Sequence, residues 1–226
     1  MSSNTPREKI QLFFQNSQSL ASPYSRLQDT LPDLVIFGGM VRDLFLFNIT
    51  EFKSDIDLVT SASSREIFEC IKPFNPVKNK FGGYRLFHLG LPFDIWSLQD
   101  TWAIREGHVE GKTIEDLCKT TFLNCDAIIY DVFIERIHTC PGYRKSMLKK
   151  LLDINLKPNP SPQKMANKAI QMCMEKEFLL TIQLCQFVLE HAYKDAHSLN
   201  ILTAIEKHLK LSHAPFGYNK QITIDL

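Results

Sequence analysis

Residues 34–46, LVIFGGMVRDLFL, and residues 54–60, SDIDLVT, decide how this chain folds. The first stretch opens on four consecutive apolar residues, Leu34 to Phe37, and stops at the pair Gly38 and Gly39. It resumes with Met40, Val41, Leu44 and Phe45 around Arg42 and Asp43, an apolar spacing that suits a helix. A strand, a tight glycine turn and a helix follow from that order. The second stretch alternates acidic with aliphatic residues. Successive side chains of an extended chain point to opposite faces, so Asp55 and Asp57 share one face of a strand.

Working outward, residues 6–20 place Ile10, Leu12, Phe13, Phe14 and Leu20 among polar neighbours behind Pro6, the pattern of a leading helix. A helix from about Ser63 to Ile71 takes Ser63 or Ser64 as its cap. Residues 81–98, FGGYRLFHLGLPFDIWSL, make two strands joined at Gly90 to Pro92, the second carrying Asp94. Thr113 to Lys119 suits a short helix, and residues 127–137, AIIYDVFIERI, continue the β-rich pattern up to the turn at Pro141 and Gly142. Beyond it Met147, Leu148, Leu151 and Leu152 recur at helical spacing, and LKPNPSP forms a breaker-rich link. Ser161 and Pro162 then open a helix carrying Met165, Ala166, Ala169, Ile170 and Cys173, while Thr181 and Ser198 open two more. The expected fold class is α+β: a mixed β-sheet with flanking helices over residues 1–142, then a small all-helical domain over 143–226.

The 226 residues, 44% hydrophobic and 23% charged with 9 Gly and 11 Pro, are ordinary globular usage and exclude collagenous, coiled-coil or wholly disordered classes. Lys plus Arg at 26 against Asp plus Glu at 25 leaves a charge of +1, so any polyanion site has to be a local patch. The 6 cysteines form no CxxC pair and no zinc-ligand spacing, which predicts reduced core thiols. The amino end lacks the apolar core of a signal peptide, and no stretch approaches the roughly 18 apolar residues of a membrane span. A soluble, cytoplasmic protein with no membrane partner is the expectation.

Taken singly, a glycine pair is a common turn, an isolated DxD is usually a solvated strand face, and a strand Asp often caps a turn. In this order they fit nucleotidyl transfer. Paired glycines let backbone N–H groups approach a triphosphate at a helix N-terminus, where Arg42 would fork onto phosphate oxygens. Asp55 and Asp57 face one way and lie close enough to share divalent cations, and Asp94, set in the apolar PFDIW, supplies a third carboxylate that burial alone would disfavour.

The combination GGMVRDLFL, SDIDLVT and FGGYRLFHLGLPFDIW resembles the head domain of the CCA-adding enzyme and bacterial poly(A) polymerase family, within the polymerase-β nucleotidyltransferase superfamily. The resemblance covers about residues 30 to 135. It implies a catalytic head followed by a helical neck, with Gly38, Gly39 and Arg42 holding the triphosphate and Asp55, Asp57 and Asp94 forming a two-metal Mg2+ site. Asp43 is left as a structural capping partner. The implied reaction moves a nucleoside monophosphate from an NTP such as ATP to an acceptor hydroxyl, the 3′ end of a tRNA-like RNA. The alternatives are a standalone transferase modifying a protein or small molecule, and a non-catalytic nucleotide- or RNA-binding module.

Two departures accompany the match. Where the family has RRDFTxNAxAYD, this chain has DLCKTTFLNCDAIIYD, without the paired arginines, and either Asn124 or Asp126 stands near the family's asparagine. Where the neck helix of the family carries an EDxxR-type base reader, SPQKMANKAI places Pro162 and Met165 at the two reading positions. Neither side chain hydrogen-bonds a base edge, so loose base selectivity is expected. Residues 143–176 hold eight Lys and Arg against Asp153 and Glu175, and Lys149, Lys150, Lys164 and Lys168 are the candidate RNA contacts.

Overall fold

The computed structural model describes residues 5–16, 21–46, 54–79, 82–88, 90–193, 200 and 202–206. They belong to two compact units, one made of residues 1–121 and 126–141, the other of residues 122–125 and 142–226.

The first unit begins with helices α1 (Pro6–Asn16) and α2 (Ala21–Thr30), then strand β1 (Val35–Phe37), α3 (Gly39–Leu46), β2 (Ile56–Thr60) and α4 (Ser64–Ile71). Strands β3 (Val77–Lys78), β4 (Tyr84–His88) and β5 (Leu91–Ser97) follow, then α5 (Trp102–Arg105), a 3-10 helix at Ile114–Lys119, and the hairpin β6 (Ile128–Asp131) and β7 (Arg136–Thr139). The seven strands form one sheet in the order β3-β4-β5-β2-β1-β6-β7. β2 and β5 run parallel and the other neighbours antiparallel, which gives the expected mixed sheet. Helix α4 is fixed at its start by a capping box: the Ser63 hydroxyl accepts from the Glu66 N–H, while the Glu66 carboxylate accepts from the Ser63 N–H.

Both faces of the central strands are used. Ile36, Leu58, Phe93 and Ile95 are fully buried beside Met40, Leu44, Ile67 and Ile71 of α3 and α4, helices that pack on these strands. On the other face Val35, Val59 and Ile129 are sealed by Leu98, Ile104, Leu117 and Cys118 from the segment between β5 and β6. That second cluster reaches Phe37, the cross-strand neighbour of Asp57, while Asp57 itself stays half-buried.

The second unit contains α6 (Tyr143–Leu148), β8 (Leu151–Leu152), α7 (Pro162–Lys176), β9 (Leu179–Leu180) and α8 (Ile182–His191). The sequence predicts this region as all-helical. The structure adds a two-stranded parallel pair, β8 with β9, because the loops after α6 and α7 bring two Leu-Leu dipeptides side by side. Thr181 caps α8 as expected, its hydroxyl accepting from the Leu184 N–H, whereas the helix expected at Ser198 begins outside the described residues. Helix α2 has no counterpart in the sequence reading. Its stretch ASPYSRLQDT is mostly polar, with Leu27 as its fully buried side chain.

All six cysteines are free thiols, and five are buried. Burial pushes the Cys118, Cys173 and Cys185 thiols up to about 12, which leaves them protonated and unreactive as the spacing predicts. Among the described residues no helix is long and apolar enough to cross a membrane.

Candidate active site

The sheet register aligns the charged residues. Asp57 of β2 pairs with Asp94 of β5, and Asp94 in turn pairs with Arg85 of β4, so the three stand in one cross-strand row. Alternation along β2 turns Ile56 and Leu58 into the core and Asp57 to the opposite, half-buried face. Two residues further on, the same face carries Val59 and Trp96, which pack in the second apolar cluster. The row of Asp57, Asp94 and Arg85 continues on the other side into Phe37 and Ile129 of that cluster. Asp55 precedes β2 by one residue and turns to the same place: Asp55, Asp57 and Asp94 each offer a carboxylate oxygen, all within 4.8 Å of one another.

Three hard anionic donors at this spacing fit a divalent cation of the magnesium type, which prefers oxygen ligands. The structure therefore brings together the three acids that the sequence singles out.

Arg85 lies among them and was missed by sequence reasoning. Its Nε donates to Asp94 Oδ1 at 2.7 Å, and its Nη2 donates to Asp55 Oδ2 at 3.0 Å and to Asp94 Oδ2. The Asp94 hydrogen bond, then the charges of Asp94, Asp55 and Asp57, hold its guanidinium more firmly protonated than usual. A lone arginine on an exposed strand face looks solvated in sequence. Only the β4–β5 register reveals that it stands opposite Asp94.

The glycine turn is adjacent. Gly38 has φ +66, a left-handed conformation that explains the glycine, and its N–H donates to the Ile128 carbonyl at 2.9 Å, tying the turn to β6. Gly39 opens α3, so the amide groups of that first turn face outward without intrahelical partners. A side chain at Gly39 would meet Ser54 Oγ at 3.6 Å and Arg42 Nη2 at 3.7 Å. Ser54 Oγ also donates to Asp55 Oδ1 at 2.9 Å, so a hydroxyl held by the acid cluster lies beside the space a Gly39 side chain would fill.

Arg42 faces inward. It is 5% exposed; its Nε donates to Asp43 Oδ1 at 2.7 Å and its Nη1 to Asp126 Oδ1. The guanidinium expected on phosphate oxygens is engaged by two buried carboxylates, and Asp43 is part of that pair rather than a helix cap.

Asn124 and Asp126 have different partners in different units. Asp126 binds Arg42 in the first unit, whereas Asn124 belongs to the second unit, donating to the Leu151 carbonyl at 3.1 Å and accepting from the Asp153 N–H at 2.9 Å.

The candidate RNA contacts all lie in the second unit. Lys149 is exposed at the end of α6, and Lys164 and Lys168 stand four residues apart on α7, on one side of the helix. Lys150 is partly neutralised, its Nζ lying 2.6 Å from Glu177 Oε2. Pro162 is the exposed first residue of α7, and Met165 is half-buried one turn later.

No protein-family model and no curated protein matches the chain. Solved structures do. The Thermotoga maritima CCA-adding enzyme complexed with tRNA_CCA superposes with a TM-score of 0.60 at 16% identity, covering 93% of this chain and 57% of that one. The Bacillus stearothermophilus CCA-adding enzyme in complex with CTP gives 0.53 at 17%, covering 88% and 48%. A tRNA nucleotidyltransferase complexed with a primer tRNA and an incoming ATP analog gives 0.57 at 18%, covering 87% and 64%. The chain spans 42% to 64% of the length of these and similar structures. With the seven-stranded mixed sheet, the acid row and the glycine turn already in place, this likeness identifies the architecture: the chain has the fold of the CCA-adding enzymes.

Proposed function

We propose that this chain is a nucleotidyltransferase that moves a nucleoside monophosphate from an NTP to the 3′ hydroxyl of an RNA, with residues 1–142 as catalytic head and 143–226 as neck. The observation that carries the reading is the convergence of Asp55, Asp57 and Asp94 within 4.8 Å, with Ser54, bonded to Asp55, lying beside the space that Gly39 leaves open at the start of a helix. Solved structures sharing the fold include complexes with CTP, ATP, an ATP analog and tRNA, the substrate class proposed here.

In this reading Gly38 and Gly39 leave room for the triphosphate against the amides of α3. The acceptor oxygen attacks the α-phosphorus in line, the bond to the β-phosphate breaks, and pyrophosphate leaves. Asp55, Asp57 and Asp94 would hold Mg2+, which when bound supplies charge neutralisation at the phosphates and activation of the attacking hydroxyl. The carboxylates themselves keep the anionic charge fixed on rigid strands, and Ser54 orients Asp55.

Incubating the chain with each labelled NTP, Mg2+ and total RNA or total protein tests the reading. Label is expected on RNA, with all four NTPs competing within roughly 10- to 200-fold of one another, the range that apolar contact at Pro162 and Met165 allows. The same apolar pair is the observation that favours the second reading, modification of a protein or small molecule, and label on protein would establish it. Label on neither leaves only a binding module.

The salt dependence of RNA binding tests the basic segment. If Lys149, Lys164 and Lys168 meet phosphates, affinity falls steeply between low and physiological salt, and each charge removal lowers the slope by about 1. Lys150→Ala should change it less, because Glu177 already holds that charge. A slope unchanged in a Lys149/Lys164/Lys168 triple variant excludes this surface.

The glycines separate backbone strain from substrate access. Gly38→Ala is expected to lower stability by about 1–2 kcal/mol, since an added methyl meets nothing closer than 3.8 Å and the cost is the left-handed backbone. Gly39→Val is expected to keep the fold and weaken NTP binding about ten- to a hundredfold, the loss of one charge-assisted hydrogen bond. Melting curves and calorimetry with a non-hydrolysable NTP measure the two effects. Unchanged affinity in Gly39→Val would remove this turn from the nucleotide site.

A further inference from the structure

Arg85 is not one of the residues needed to complete a carboxylate metal site, yet its guanidinium bonds to two of the three acids there. Both oxygens of Asp94 and one of Asp55 accept from its guanidinium. These oxygens belong to the same carboxylates whose convergence fits a divalent cation. A guanidinium and a metal ion cannot share those lone pairs at full strength, so one has to yield.

The surroundings decide which can move. Asp94 has a side chain only 13% exposed and is held in the middle of β5, so its carboxylate needs a cation or donor beside it at all times. The Arg85 side chain is 44% exposed. Its strand β4 is flanked on the outer side only by the two-residue edge strand β3, where the residue opposite Arg85 is the exposed Val77. A long, flexible side chain with that exposure swings to solvent at little cost.

We propose that Arg85 is a built-in counter-cation of the acid cluster: it neutralises Asp94 and Asp55 while the site lacks metal, and it is exchanged for the divalent cation on loading. Arg85 thereby sets the metal concentration at which the site fills. It is a positioning residue, acting through the carboxylates. The inference rests on the reading of Asp55, Asp57 and Asp94 as metal ligands, and it adds that loading is a competition rather than a simple association.

The test uses Mn2+ alone, with no nucleotide or RNA, and free Mn2+ is measured by electron paramagnetic resonance at low salt. The full-length chain is compared with Arg85→Met, Arg85→Lys and Asp57→Asn. Arg85→Met keeps the length of the stem and removes the fork. It is expected to bind Mn2+ about tenfold more tightly than the parent, the factor that a lost bidentate charge-assisted pair gives. Arg85→Lys, which retains charge but not the fork, is expected to fall between them, and it carries the test should the methionine variant fail to fold. Thermal melts add a second readout: Arg85→Met is expected to melt below the parent without Mn2+ and level with it at saturating Mn2+, a convergence that an ordinary structural arginine would not show. Equal or weaker Mn2+ binding by both Arg85 variants, with Asp57→Asn abolishing binding, overturns the exchange and leaves the metal site standing. Absence of Mn2+ binding in the parent, or binding indifferent to Asp57→Asn, overturns both.

Discussion

Asp57→Asn is expected to keep the fold and to lower nucleotidyl transfer on the order of 10³-fold, the scale on which removal of a group stabilising transition-state charge is felt. The substitution preserves shape and removes one hard anionic ligand from a cluster whose oxygens lie within 4.8 Å of one another. Because Asp57 is half-buried and points away from the core that holds Ile56 and Leu58, Asn finds solvent there and that core is untouched. Relief of repulsion among the acids should leave the melting temperature unchanged or slightly raised. Asp55→Asn should behave alike, whereas Asp94→Asn also removes the main anchor of Arg85 and should perturb the site more broadly. Single-turnover transfer with labelled NTP, Mg2+ and RNA measures the loss. Activity near the parent level in both strand variants would refute the assignment of these acids.

Arg42→Ala is expected to have the largest effect on stability, about 3–5 kcal/mol, the cost of breaking a buried ion pair from one side. It removes the cation that faces both Asp43 and Asp126, in a place where Arg42 itself is 5% exposed. The damage should spread to the turn, since Asp126 lies at the entrance to β6, which hydrogen-bonds both β1 and the Gly38 N–H. Urea unfolding followed by circular dichroism measures it. An Arg42→Ala chain as stable as the parent but deficient in NTP binding would show instead that the guanidinium works outward on phosphate, as the motif alone suggests.

The acids were legible in sequence because charged residues inside apolar strand segments stand out: Asp57 between Ile56 and Leu58, Asp94 between Phe93 and Ile95. The strand-turn-helix at Gly38 was legible for a similar local reason, the abrupt end of an apolar run. What escaped depends on pairings distant in the chain. Arg85 becomes a site residue only through its register with Asp94, and Asp126 becomes the partner of Arg42 from 84 positions further along the chain. Helix α2 escaped because a mostly polar ten-residue segment carries little periodic signal, and its place is set by packing against α4. The β8–β9 pair escaped because two residues per strand are too few to show alternation.

The segment 122–125 has a consequence for how such a protein is inherited. Asn124 N–H donates to the Asp153 carbonyl at 3.0 Å, Asn155 N–H donates to the Phe122 carbonyl at 2.7 Å, and the Phe122 ring lies 4.6 Å from that of Phe187. Four residues are thus lent to the second unit before the chain returns to add β6 and β7 to the sheet. Neither unit is a continuous stretch. A gene break at any single point between them severs one core or the other, so the two cannot be shuffled as independent cassettes, and on the ribosome β6 and β7 emerge before Asp153, Asn155 and Phe187, the partners of segment 122–125, have been made. Recombination at a single point therefore cannot exchange one compact half and leave the other whole.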